Sequence, residues 1–174
     1  MTERVLDPAT CFVVQATDRT EMFTKVYQQL FEQGLVANGF LEEVIQREED
    51  YPTGLDSRNL GAGLPNLAFS HTEGCFVKKQ RIVPIRLLEP IVFKSMVNPE
   101  QELPVGFCFM LLDDKADGQA KLLSQTMTYL SQAGVSELKE LFALTKPQEI
   151  YDFLAGRLSG SNDPAAGSRA VRTF

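Results

Sequence analysis

The sequence predicts an α/β (α+β) fold: a three-layer α/β/α sandwich around a mixed sheet, formed by residues 1–158 as a single domain. Three observations lead there. Strand and helix patterns are interleaved, with two helices early, strands in the middle and helices late. The stretch 105–112 is one continuous apolar run, as a strand covered on both faces requires. A length of 174 residues suits one ordinary domain with a substantial core.

Local pattern justifies each element in turn. Residues 11–14 are a short apolar run bounded by turn residues, which reads as a buried strand. Asp18 offers an N-cap, with Glu21 at the capping-box spacing. Met22, Phe23, Val26, Leu30 and Phe31 then repeat at helical spacing, and Gly34 closes the helix. A second helix starts near Asn38-Gly39, turns Phe40, Leu41, Val44 and Ile45 inward, and must stop before Pro52. The breakers Pro52, Gly54, Asp56, Gly61, Gly63 and Pro65 then make a long loop, of a kind usually functional or mobile. It delivers the chain to a short strand, Leu67-Ala68-Phe69, ending at Ser70-His71-Thr72. Two separate strands are expected at 81–88 and 91–93, with the central strand at 105–112. Helices are expected at 119–132, 136–143 and 147–158, the last with Pro147 in its first turn. Residues 159–174 have too few large apolar groups to offset the entropy of ordering, and read as a disordered tail.

Composition excludes several classes of function. The net charge of −6 argues against nucleic acid, whose phosphates need clustered cations. The single basic cluster, Lys78-Lys79-Gln80-Arg81, reads as a solvated loop or strand end. No stretch of about 18 apolar residues exists, so no membrane insertion is expected. The N-terminus lacks the apolar core of a signal peptide. Cys11, Cys75 and Cys108 are an odd number without C-x-x-C spacing, Cys11 and Cys108 reading as buried thiols. That pattern suits a reducing compartment, and the expected location is the cytoplasm.

The one histidine is the strongest chemical candidate. His71 follows a strand directly, where a rigid scaffold presents side chains at a sheet edge. Imidazole is a competent nucleophile with a useful neutral fraction at cellular pH. Competing chemistries lack parts: there is no G-x-S-x-G elbow, no zinc-ligand spacing and no nucleotide-binding glycine motif. Neither a cofactor nor a metal is expected. Arg47 could supply a forked cationic clamp for an anion, or could pair with Glu43, Glu48 or Asp50 on its own helix. Gln119 lies near a helix start, where an anion is favoured, or is an ordinary polar first-turn residue.

Two segments carry a resemblance. Arg47-Glu48-Glu49-Asp50-Tyr51-Pro52-Thr53-Gly54 and Asn66-Leu67-Ala68-Phe69-Ser70-His71-Thr72-Glu73 resemble, in order, the two signatures of the fructose/mannitol-type IIA components of the bacterial sugar phosphotransferase system. The Tyr-Pro-Thr-Gly form, and Gln119 before Leu122-Leu123, resemble the galactitol-specific branch most. The resemblance implies an α/β/α fold and a phosphotransferase in which His71 accepts phosphate from the phosphohistidine of HPr. It also implies transfer onward to a cysteine of a cognate IIB protein or domain. Arg47 and Gln119 would stabilise the phosphoryl group, with Thr53 and Thr72 as hydroxyl neighbours. The partner-facing surface is expected to be an apolar ring near Tyr51, Leu64 and Phe69.

Departures from the family pattern are specific. Ser70 replaces the usual proline, which is expected to loosen the backbone. Gln119 cannot become a cation, so it would act only as a neutral donor. The alternatives are a regulatory IIA-like protein, phosphorylated on His71 without carrying phosphate to a sugar, and a binding module in which His71 is inert.

Overall fold

The computed structural model describes residues 5–158, so the expected tail at 159–174 lies outside the described residues. In chain order the elements are β1 (Phe12–Val14), α1 (Arg19–Glu32), α2 (Phe40–Asp50), β2 (Gly54–Leu55), β3 (Asn66–Ala68), β4 (Arg81–Lys94), β5 (Glu102–Leu112), α3 (Ala116–Gln132), α4 (Val135–Ala143) and α5 (Pro147–Ala155). The strands form one five-stranded sheet in the order β1-β4-β5-β3-β2. β1 runs parallel to β4 and β3 parallel to β5, while the β4–β5 and β2–β3 pairs are antiparallel. The sheet is therefore mixed, and the continuous apolar run is its central strand, as expected.

Alternation along the strands builds two cores. Cys108, Met110 and Leu112 of β5 face Met22, Phe23, Val26 and Leu30 of α1 and Phe40 and Val44 of α2. Phe107, Phe109 and Leu111 face the other layer, built from Leu122 and Leu130 of α3, Leu138 and Leu141 of α4, and Ile150 and Leu154 of α5. Each face of β5 thus has its own helical cover, which makes the three layers. Local caps place α1 as the sequence predicts. The Asp18 carboxylate accepts from the Glu21 amide at 2.8 Å, and Gly34 takes φ 74°. The amides of Gly34 and Leu35 reach back to the carbonyls of Phe31 and Leu30, closing a Schellman turn.

Two expectations need correction. The strands expected separately at 81–88 and 91–93 are one strand, β4. Its pairing with β5 is interrupted between Arg86 and Ile91 and resumes beyond. Five steps along β4 there match two along β5, a bulge that lets the strand bend without ending. The breaker-rich loop also has structure of its own. Gly54 pairs with Ala68 and accepts from the Met96 amide at 2.8 Å, and a Cβ on it would sit 2.6 Å from the Lys94 carbonyl oxygen. Further on, the Ser57 amide and hydroxyl bond Asn66 Oδ1 and the Leu64 carbonyl, closing the loop on itself. Among the described residues no helix is long and apolar enough to cross a membrane.

Candidate functional site

His71 leaves the C-terminal end of β3 and bridges Leu111 at the end of β5, at one edge of the sheet. Its ring is half-buried, and Nδ1 lies 3.1 Å from the carbonyl oxygen of Phe69. A carbonyl can only accept, so Nδ1 carries the proton and Nε2 keeps its lone pair. Burial pushes the imidazole pKa below its ordinary value. The Phe69 carbonyl and Glu73 pull it partly back, and Arg47 adds to the lowering. The neutral, nucleophilic form is therefore the favoured one.

The carbonyl that orients His71 is itself held from two sides. Phe69 is only 1% exposed and its ring stacks on Phe109 with centroids 5.9 Å apart. Its amide donates to Thr53 Oγ1 at 3.2 Å. Thr53 in turn donates its hydroxyl at 2.8 Å and its amide at 2.7 Å to the Glu48 carboxylate. The Ser70 hydroxyl donates to the same carboxylate at 3.1 Å. Glu48, 4% exposed in the last turn of α2, thus ties both signature segments together at the residue that precedes His71. Burial raises its pKa, and the donors from Thr53 and Ser70 oppose that. Sequence reasoning named Glu48 only as an ion-pair partner for Arg47. Its place beside Arg47 in the first signature was the one available signal. Ser70 stands where the family pattern has proline. The residue is fully buried, its hydroxyl is bonded to Glu48, and its carbonyl accepts from the Leu111 amide at 2.9 Å.

Arg47 does not pair within its own helix. It donates from Nη1 to Glu73 Oε1 at 2.9 Å, crossing to the segment just after His71, and its guanidinium lies 5.2 Å from the Tyr51 ring centroid. Its Nε is buried with no hydrogen-bond partner among the described residues. Its charge reaches the imidazole, where it adds to the lowering of the pKa.

The other predicted donors are committed elsewhere. Gln119 sits in the second turn of α3, one turn past the helix start at Ala116. Its side-chain amide donates to the Thr72 carbonyl at 2.6 Å and to the Asp113 carbonyl at 3.1 Å, which uses both amide protons. Only its acceptor oxygen remains, and that does not stabilise an anion. The Thr72 hydroxyl is fully buried on the Glu73 carbonyl at 3.0 Å, and that of Thr53 serves Glu48. Gln119, Thr53 and Thr72 therefore hold the segment that carries His71 and do not reach past it. Of the expected apolar ring, only Tyr51 is well exposed, at 64%; Phe69 is core and Leu64 packs against the second core. Cys75 is exposed, whereas burial pushes the thiols of Cys11 and Cys108 up to about 12.

The start of α3 is packed closely enough to carry a prediction. A Cβ on Gly118 would overlap the Asp113 carboxylate, whose oxygens accept from Gln80 Nε2 at 2.6 Å and the Lys115 amide at 2.9 Å. Helix propensity alone would make Gly118→Ala stabilising by about 0.5–1 kcal/mol. Displacing a twice-bonded buried carboxylate works against that, so a net loss of roughly 1–2 kcal/mol is expected. Thermal unfolding of Gly118→Ala checks the sign; a gain in stability would mean that Asp113 is not rigidly held.

Comparison with known proteins identifies the family and the fold. Residues 5–156 match the family model described as phosphoenolpyruvate-dependent sugar phosphotransferase system, EIIA 2. The galactitol-specific EIIA component of the phosphotransferase system of Escherichia coli K12 is 23% identical over 138 residues, covering 79% of this chain and 88% of that protein. The fold matches the IIA mannitol enzyme of Escherichia coli, solved in complex with phosphorylated IIB, at a TM-score of 0.66 and 18% identity, over 87% of this chain and 98% of that one. It also matches the nitrogen regulatory protein IIA-Ntr of Neisseria meningitidis at a TM-score of 0.61 and 22% identity, over 86% and 96% of the two chains. A match across nearly all of the described residues, on a mixed sheet that sets a histidine at its edge, means that the chain belongs to the EIIA type-2 family of the sugar phosphotransferase system.

Proposed function

We propose that this protein carries a phosphoryl group on Nε2 of His71, taken from the phosphohistidine of HPr and passed to a cysteine of a cognate IIB protein during uptake of a galactitol-like sugar. The observation that carries this reading is the Nδ1 contact with the Phe69 carbonyl, which leaves Nε2 as the nucleophile. In the first half-reaction the Nε2 lone pair attacks phosphorus, and the donor's P–N bond breaks with its electron pair returning to the donor imidazole. The Nδ1 proton stays on the ring against the Phe69 carbonyl and offsets part of the incoming negative charge. Arg47 supplies a cation. Glu48, Thr53, Thr72 and Gln119 act as positioning residues through the backbone around His71. In the second half-reaction the acceptor thiolate takes the phosphoryl group and the neutral imidazole returns. The sugar is suggested only by the galactitol-specific relatives.

Incubation with phosphoenolpyruvate, enzyme I and HPr tests the reading. His71 is the only histidine, so a single acid-labile phosphate should appear on the intact protein and be absent from His71→Ala. The lowered imidazole pKa implies that the rate should hold as pH falls below the ordinary value of 6.5 before protonation stops it. No uptake by the wild type would overturn the carrier reading. Uptake with no onward transfer to any IIB protein would favour the regulatory alternative.

A further inference from the structure

We propose that Glu73 is a displaceable counter-ion that sets how strongly His71 holds a phosphoryl group, occupying Arg47 in the unphosphorylated protein and yielding it to the phosphoryl oxygens. The proposal rests on the carrier reading and assigns a further residue to it.

Among the described residues Arg47 has one anionic partner at this site. It meets Glu73 at 2.9 Å, whereas Glu48 is bonded to Thr53 and Ser70, and Asp113 to Gln80 and the Lys115 amide. The Glu73 side chain is 61% exposed and can turn into water without uncovering the core. Arg47 is better anchored. Its side chain is 27% exposed, its guanidinium lies over Tyr51, and its Nε has no partner among the described residues. A phosphoryl group on His71 brings more charge than a carboxylate and three acceptor oxygens, so it can take the Nη1 donor from Glu73. Glu73 then stands as a free anion near the phosphoryl group and repels it. Competition for Arg47 and direct repulsion have the same sign, and both weaken phosphoryl holding.

Glu73→Gln removes both effects. At equilibrium with HPr it should raise the ratio of phosphorylated to unphosphorylated protein about three- to tenfold, a modest size because the pair is partly exposed and screened. Glu73→Asp keeps the charge and should stay near the wild-type ratio, and added salt should narrow the gap between Glu73→Gln and wild type. The ratio is read by intact-mass analysis after incubation with phospho-HPr of known phosphorylation level. It is an equilibrium quantity, so altered docking rates do not move it, and a purely structural role would change thermal unfolding instead. Phosphate on the wild type with an equal or lower ratio in Glu73→Gln overturns the proposal and leaves the carrier reading standing. No phosphate on the wild type overturns both.

Discussion

Glu48→Ala is expected to lower stability by about 2–4 kcal/mol and, beyond that loss, to slow phosphorylation of His71 by more than an order of magnitude. The substitution leaves the buried Thr53 amide and hydroxyl and the Ser70 hydroxyl without their shared acceptor. The second effect follows because Thr53 also holds the Phe69 amide, and the Phe69 carbonyl fixes the His71 tautomer.

The two effects separate in Glu48→Gln. The folded-state pKa of Glu48 lies above its unfolded value. The stability tied to that shift is therefore present below the unfolded pKa of 4.5 and lost as pH rises through the folded value. Burial makes the ionised side chain a burden on folding that its donors only partly offset. The neutral amide sheds that burden but keeps a single acceptor oxygen, so Glu48→Gln should lose less stability than alanine while His71 still reacts slowly. Unfolding curves and single-turnover phosphorylation, together with the nitrogen chemical shifts of the His71 ring, measure the parts independently. Wild-type phosphorylation rates and an unchanged tautomer in Glu48→Gln would reduce Glu48 to a structural residue.

Arg47→Lys is the second large effect. The charge survives, and with it the pairing to Glu73, but the planar fork is lost. A well-placed donor to developing charge contributes ~2–4 kcal/mol to the transition state, so transfer from HPr should slow by roughly 30- to 1000-fold. Stability should change little, since the Glu73 pair is partly exposed and such pairs contribute about 0–1 kcal/mol. Rapid-quench transfer rates beside thermal unfolding decide the matter. Equal rates at equal stability would make Arg47 an ion-pair residue and nothing more.

Why Arg47 and Glu48 differed in legibility is a matter of chain separation. Arg47 was recognisable as a possible clamp because guanidinium chemistry belongs to the residue itself. Its partner lies 26 positions away, beyond β2, a loop and β3, and pattern along α2 suggested only same-helix carboxylates. Glu48 was legible only as a same-helix ion-pair partner for Arg47. Its burial depends on Thr53 and Ser70 closing over it, and the latter is 22 positions distant.

What the sequence determined by itself was whatever depends on neighbours a few positions apart. Asp18 and Gly34 bracket α1, the continuous apolar run makes β5 central, and a strand end presents His71. Caps, turns and hydrophobic period act over one or two turns of chain, so they are written in consecutive residues. Tertiary structure alone decided that β4 continues through a bulge, because its partner strand continues beside it. It also decided that Gln119 spends both protons on the Thr72 and Asp113 carbonyls, and that Glu48 binds the residue before the nucleophile. Which donor meets which acceptor across 22 to 47 positions is fixed only when the layers pack and every buried polar group must find a partner.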